Sequence, residues 1–416
     1  MTDIELHNPD KFISDLHQVL TQGKKRIGLL IGVGAPFAIK VDDENRPKSD
    51  GKPLIPNVVQ LTHKVFEALS EDDRAVLSNI IPELEEGYNI ETVLTRVRRL
   101  SEAIGNAEVY GLNGAGYMAL ADRICSAIGG FVDAELPRDV EGHESYTTPY
   151  TRIVNWIAGT TRKYPVEIFT TNYDLLLEEA FERAKVPFFD GFSGSFLPFF
   201  DSSSINDPSL TPSWSRLWKI HGSLGWRASG DSVVRTGTRE ASSLICPEHL
   251  KYDQISMQPY SSLFERMRRF LCQPDTVLLC SGFSFLDKHI TAVFDEALRE
   301  NPHCTVIALQ YKKLRDEEGA SALAMKRSNF QVYASDGAII NASRGAWRLG
   351  DLPTPEWESI RKTYWDHKQT EGSFLLGDFV SMASFLSYSD ANELIRQEIT
   401  SKQPAVVGDL VDAVGE

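Results

Sequence analysis

Paired cysteines are what this 416-residue chain most plainly lacks. Its five, Cys125, Cys246, Cys272, Cys280 and Cys304, are odd in number, scattered and never spaced C-x-x-C. That argues against both a disulfide framework and a structural zinc site. No uninterrupted apolar run reaches the ~18 residues that a membrane span requires, so no membrane association is expected. The first twenty residues contain Asp3, Glu5, Asp10 and Asp15 and no cationic start ahead of an apolar block. No secretory leader is therefore expected, and the default reading is cytoplasmic. Positive charge is also short: 43 Lys and Arg stand against 58 Asp and Glu, for a net charge of -15. This disfavours direct nucleic-acid binding. The basic runs Lys24–Arg26, Arg96–Arg99 and Arg266–Arg269 read as solvated helix faces or strand flanks. A G-x-x-x-x-G-K-S/T phosphate loop is absent, and no cluster of metal ligands stands out, so no metal is expected.

What is present alternates between strand and helix signals. Asn8 as a cap, Pro9 in the first turn and apolar Phe12, Leu16, Val19 and Leu20 open a helix. The run IGLLIGVG then reads as a buried parallel strand entering a tight turn. Residues 36–56 are rich in Pro, Gly and charge and read as a long surface loop. From Asn57 to about Thr161 the apolar spacing is helical throughout. Strand patterns resume at VEIFTTNYD and recur at LWKIHGS, TVLLCSGFSFLD, CTVIALQ and FQVYASDGA, with helical stretches between them. The expected class is α/β: a doubly wound, Rossmann-like parallel sheet with a helical insertion and a helical C-terminal extension. In domain terms, residues 1–56 and 162–345 form the sheet domain, 57–161 the insertion and 346–416 the extension. That extension carries Trp347, Trp357, Trp365, Phe374, Phe379 and Phe385. Such a density of rings predicts an interface for oligomerisation or partner docking, with cover for one face of the main body as the alternative.

The chemistry-bearing residues gather at strand ends. Gly32-Val33-Gly34-Ala35-Pro36-Phe37 has two glycines of G-x-G-x-x-G but Phe37 where the third belongs, so the dehydrogenase fingerprint fails. The glycines still permit close approach of a ligand to backbone. Asn172 and Asp174 in TTNYD, His221 and Gly222 in IHGS, and Ser284 and Asp287 in SGFSFLD stand at the other strand ends. Singly, each has a plain structural explanation: an N-cap for Asn172 or Asp174, a satisfied core histidine for His221. Four polar or glycine-rich strand ends at one sheet edge are harder to explain as caps.

The ordered set GVGAP, TTNYD, HG and GFSFLD resembles the sirtuin family, whose pattern runs G-A-G-x-S, T-Q-N-x-D, H-G and G-T/Y-S. The N-x-D and H-G pair in this order is the specific part, and the closest likeness is to the sirtuin-like NADases of bacterial antiviral defence. The resemblance spans most of residues 20–345. It implies a Rossmann-like fold using NAD as substrate, with Asn172 and His221 catalytic. Asn172 would hold the ribose hydroxyls or the attacking water, and His221 would be the general base or a ribose contact. It implies further that Gly32 and Gly34 lie under the pyrophosphate, that Asp174 holds the nicotinamide carboxamide, and that Ala35 and Thr171 are further NAD-binding residues. Gly282 and Ser284 would bind the adenosine side, and Asp287 would be a further NAD-binding residue.

Two departures from the family pattern matter. Pro36 stands where sirtuins usually carry serine, removing a hydroxyl and a backbone donor. The four-cysteine zinc module of the protein deacylases has no counterpart, which weighs against deacylation. The leading expectation is an NAD glycohydrolase that releases nicotinamide and ADP-ribose, acting as a triggered NAD-depleting effector. The alternatives are a non-catalytic NAD or ADP-ribose regulator and, behind it, a deacylase. The resemblance also implies a homo-oligomer and a HerA-type hexameric ATPase as partner.

Overall fold

The computed structural model describes residues 5–21, 23–84, 87–139, 141, 147–207, 213–230, 232–241, 259–352, 354–355, 357–367 and 372–387. Its centre is a sheet whose strands run, in spatial order, Phe188–Phe189, Ser215–Lys219, Glu167–Thr170, Arg26–Ile31, Thr276–Ser281, Thr305–Leu309, Phe330–Tyr333, Gly337–Ile340, Ser343–Trp347 and Glu5–His7. The first seven pair in parallel. The strands are apolar because helices cover both faces. Successive residues point to opposite sides and feed two separate cores: Leu29, Ile31, Ile168, Leu217, Leu279 and Ile307 to one, Leu30, Phe169, Trp218, Leu278, Cys280 and Val306 to the other. This is the doubly wound α/β arrangement that the alternating pattern predicts.

From Ser215–Lys219 to Phe330–Tyr333 the strand order is that of the dinucleotide-binding fold, with its switch point between Arg26–Ile31 and Thr276–Ser281. The chain leaves Arg26–Ile31 toward one side and returns through Thr276–Ser281 on the other. The two following loops therefore diverge and leave a crevice at the carboxyl edge.

Three features depart from the sequence reading. Residues 36–56 are not one irregular loop: a helix, Gly34–Ala38, runs into a hairpin of Lys40–Val41 and Lys52–Pro53. Residues 192–235 contain a small antiparallel sheet, Phe192–Ser193, Phe199–Phe200, Trp226–Ser229 and Ser232–Arg235, for which there was no expectation. Elements two residues long are too short to show alternation. Two pairings toward the far edge of the main sheet are antiparallel, Phe330–Tyr333 with Gly337–Ile340 and Gly337–Ile340 with Ser343–Trp347, while Ser343–Trp347 pairs in parallel with the edge strand Glu5–His7. Trp347, assigned by sequence to the extension, is thus part of the sheet.

The insertion is helical as expected, with helices Val58–Ala68, Glu71–Ile80, Ile90–Ile104, Gly114–Val132 and Pro149–Gly159. Asn57, Ser70, Asn89, Asn113 and Thr148 each accept a backbone N–H at the helix start, which is why the apolar period begins where it does. Its apolar residues join the core on one face of the sheet.

The extension contributes helices Trp357–Tyr364 and Phe379–Ser387 and a two-stranded pair, Trp365–Asp366 with Ser373–Phe374. Phe379–Ser387 packs on Pro149–Gly159 and on Gly34–Ala38. Trp347, Trp365, Phe374, Phe379 and Phe385 are all buried within the chain. The expected ring density is real, and in this chain it covers the main body. Residues 388–416 of the expected extension, and Cys246, lie outside the described residues.

Candidate functional site

The strand registers bring the sequence motifs to one level. Lys219 pairs with Thr170, Thr170 with Ile31, and Ile31 with Ser281, so four strands end in a single row. Gly32 and Gly282 follow that row by one residue, Asn172 and His221 by two, Gly34 and Ser284 by three. The polar residues of four distant segments therefore share the carboxyl edge across the switch point.

The glycines are explained first by one another. Gly32 N–H donates to Ser281 O at 3.0 Å and Gly34 N–H to Gly282 O at 2.9 Å. A Cβ on Gly34 would lie 2.6 Å from Gly282 Cα, and one on Gly32 would overlap Gly282 O. Gly282 itself has φ +68°, where a side chain is strained. The two loops thus meet backbone to backbone, and no residue larger than glycine fits between them. Ala35 and Pro36 are buried in the short helix that follows. Ser284 is exposed and Thr171 half-buried.

Asn172 and its strand are tied into this seam. Its side-chain amide donates to Gly32 O at 3.2 Å, and its backbone N–H donates to Thr170 Oγ1 at 3.1 Å. Thr170 in turn donates to Ile31 O at 2.7 Å. Thr170, which sequence reasoning passed over in favour of Thr171, is thus the threonine that ties the turn. Asp174 is buried and accepts from Leu176 N–H at 3.1 Å, so it starts the helix Leu176–Arg183. Burial pushes its carboxyl up to about 6, against the opposing pull of Lys219 and of the Leu176 N–H.

Lys219 was also missed. It is a buried lysine at the end of an apolar strand, bonded to the carbonyls of Tyr173 and Asp174 and paired with Glu178 at 3.0 Å. A lone cation inside LWKIHG was the available signal, because such a charge is retained in a core only when it is paired.

His221 and Asp287 meet across the edge. His221 Nε2 lies 3.3 Å from Asp287 Oδ2, with both side chains buried. Their strands are three places apart in the sheet, roughly 14 Å at ordinary strand spacing. The loop from Gly282 to Asp287 must therefore cross over the strand ends carrying Gly32 and Asn172. It is anchored by Phe283 and Phe285, which stack edge to face at 4.9 Å, while Phe285 also packs on Phe294 and Phe330. Phe285 has φ +58°, a conformation that costs a bulky residue roughly 1–2 kcal/mol and is held there by this aromatic packing. Asp287 Oδ1 accepts from the N–H groups of His289 and Ile290, capping Lys288–Glu300. Burial raises the Asp287 carboxyl, but His221 and these two N–H groups outweigh it and hold it below its ordinary value.

Residues 166–333 match the SIR2-like domain. No curated protein matches the chain. The matched segment contains Asn172, Asp174, His221, Gly282, Ser284 and Asp287. The turn from Gly32 to Pro36 falls outside it, and the sheet register places that turn against the matched residues. SIR2-like domains use NAD, and the dinucleotide-type strand order agrees with that use. Among the described residues no helix is long and apolar enough to cross a membrane.

Proposed function

We propose that this protein is an NAD glycohydrolase. The observation that carries the reading is the assembly of Asn172 and the His221–Asp287 pair at one strand-end row beside the switch point, inside the SIR2-like segment. The bond from ribose C1′ to the nicotinamide ring nitrogen already has a cationic leaving group. Its cleavage needs positioning and electrostatic support more than a strong acid. The electron pair of that bond passes to the ring nitrogen and releases neutral nicotinamide. Water forms the new bond to C1′, giving ADP-ribose, and its proton is taken up by His221 and passed to solvent. Asn172, with a donor and an acceptor, holds the ribose hydroxyls or the water. Gly32, Gly34 and Ala35 offer backbone to the pyrophosphate, and Asp174 lies on the nicotinamide side.

The family resemblance extends the proposal to a triggered NAD-depleting effector in antiphage defence, working as a homo-oligomer with a HerA-type hexameric ATPase. A second reading, a non-catalytic NAD or ADP-ribose regulator, is favoured by the close packing of Gly32, Gly34 and Gly282 and by Pro36. Deacylation stands behind both. The deciding experiment incubates full-length protein with NAD, alone and with candidate activators, and follows free nicotinamide and ADP-ribose. Equal release of the two supports the hydrolase. Tight NAD binding with no release under any condition supports the regulator.

A further inference from the structure

Helix capping accounts for only half of Asp287. An N-cap needs one oxygen, and Asp287 Oδ1 supplies it to His289 and Ile290. Its Oδ2 is buried, makes no hydrogen bond among the described residues, and faces His221 Nε2. His221 Nε2 is likewise buried and without a hydrogen bond among the described residues. At 3.3 Å the two atoms face each other within ion-pair range but outside hydrogen-bond geometry. Two buried polar atoms left facing each other are costly unless a proton lies between them. The other charged groups at this edge are engaged elsewhere: Lys219 with Glu178 and the carbonyls of Tyr173 and Asp174, and Asp174 with Leu176 N–H.

We infer that Asp287 is a positioning residue for His221: it holds the imidazole with Nε2–H toward its carboxylate and leaves Nδ1 to accept the proton. This rests on the hydrolase reading above and turns Asp287 from a general NAD contact into a residue of the reacting side. In the step itself, an O–H bond of the attacking water breaks as its oxygen bonds to C1′, and the proton moves to Nδ1. The Nε2–H bond stays intact, and the Asp287 carboxylate remains ionised and stabilises the resulting imidazolium. The anchored loop suits such a role, because Phe285 and its aromatic neighbours fix the carboxylate relative to the strand ends.

Two substitutions separate this role from capping. Asp287→Asn and Asp287→Ser both retain an N-cap side chain, but the first removes the charge and the second also removes the reach to His221. The full-length protein is studied without NAD by nitrogen NMR of the histidine rings, and with NAD by nicotinamide release across pH. The wild-type protein is expected to carry the Nε2–H tautomer at His221, and the Asp287→Ser variant to lose that preference. In both variants kcat is expected to fall about 100-fold or more, with KM changed less than about threefold and with nearly unchanged melting temperature. An Nδ1–H tautomer in the wild-type protein, or the same tautomer balance in the wild-type protein and the Asp287→Ser variant, overturns the inference. A wild-type protein that shows the expected pairing by NMR but releases no nicotinamide overturns the hydrolase reading and leaves the pairing supported.

Discussion

Asn172 and His221 sit beyond the last paired residues of their strands, and neither belongs to either apolar core. Asn172→Ala and His221→Ala are each expected to reduce nicotinamide release by about 100-fold or more. Because the two groups act on one reacting centre, the double variant should be little worse than either single. Near-normal turnover in either single variant would show that the residue is not catalytic. Asp174 makes a different prediction, through stability. Its folded-state pKa, about 6, lies above the ordinary 3.8, so the folded protein favours the protonated carboxyl. The stability this contributes is fully present below pH 3.8 and is lost as pH rises through about 6. Asp174→Asn removes that loss, so its stability relative to wild type should rise by roughly 2 kcal/mol from about pH 4 to about pH 7. Chemical denaturation at the two pH values measures it, and a constant difference would contradict the assignment.

The turn from Thr170 to Asp174 and the helix Leu176–Arg183 behave as one unit pinned from beneath by Lys219. Removing only the lysine leaves the half-buried Glu178 without its cation. Lys219→Met is therefore expected to destabilise the protein by about 3–5 kcal/mol, and adding Glu178→Met should recover most of that. Denaturant melts of the two singles and the double test the coupling, and simple additivity would show that the pair is not coupled. This element explains a gap in the sequence reading. TTNYD and IHGS were legible as strand ends because polar residues follow an apolar run. The dependence of one on the other was not, since Lys219 and Asp174 are 45 positions apart and meet only when their strands pair.

The extension is joined to the body by a buried cluster. Arg361 donates to both oxygens of Asp10 at 2.8 and 2.6 Å and to Gly350 O at 2.9 Å, while Tyr364 O–H donates to Asp10 Oδ1. Beyond it, Phe374 N–H donates to Ser335 O at 3.0 Å and Gly377 rests on the Gln310 carbonyl. The segment thus runs along the carboxyl ends of Thr305–Leu309 and Phe330–Tyr333 before its last described helix reaches Gly34–Ala38. A chain ending near residue 345 would expose the faces that Trp347, Trp365, Phe374, Phe379 and Phe385 cover. Each lost ring should cost about 3 kcal/mol or more, so such a chain is expected to show no cooperative thermal transition. A truncated protein with a near-native melt would mean that the extension is a separate unit. Assembly is therefore better measured on the full-length protein, by light scattering, than by truncation.

Period and punctuation carried most of the fold into the sequence. Apolar β-branched runs ending in glycine or polar residues, separated by amphipathic helices, have few arrangements other than a doubly wound sheet, and the switch point then places GVGAP, TTNYD, IHGS and SGFSFLD at one edge. That information is local, because each strand or helix is specified by its own side-chain period. Three things were not local and came only with folding. The glycines proved to be packed on one another across two loops. Asp287, legible in the sequence only as a helix cap or ligand contact, proved to face His221 from a strand three places away. The aromatic tail, whose composition suited an interface equally well, proved to cover its own chain. In each case the deciding contact joins residues far apart in sequence, and composition does not encode which of two compatible surfaces a ring, a carboxylate or a glycine will meet.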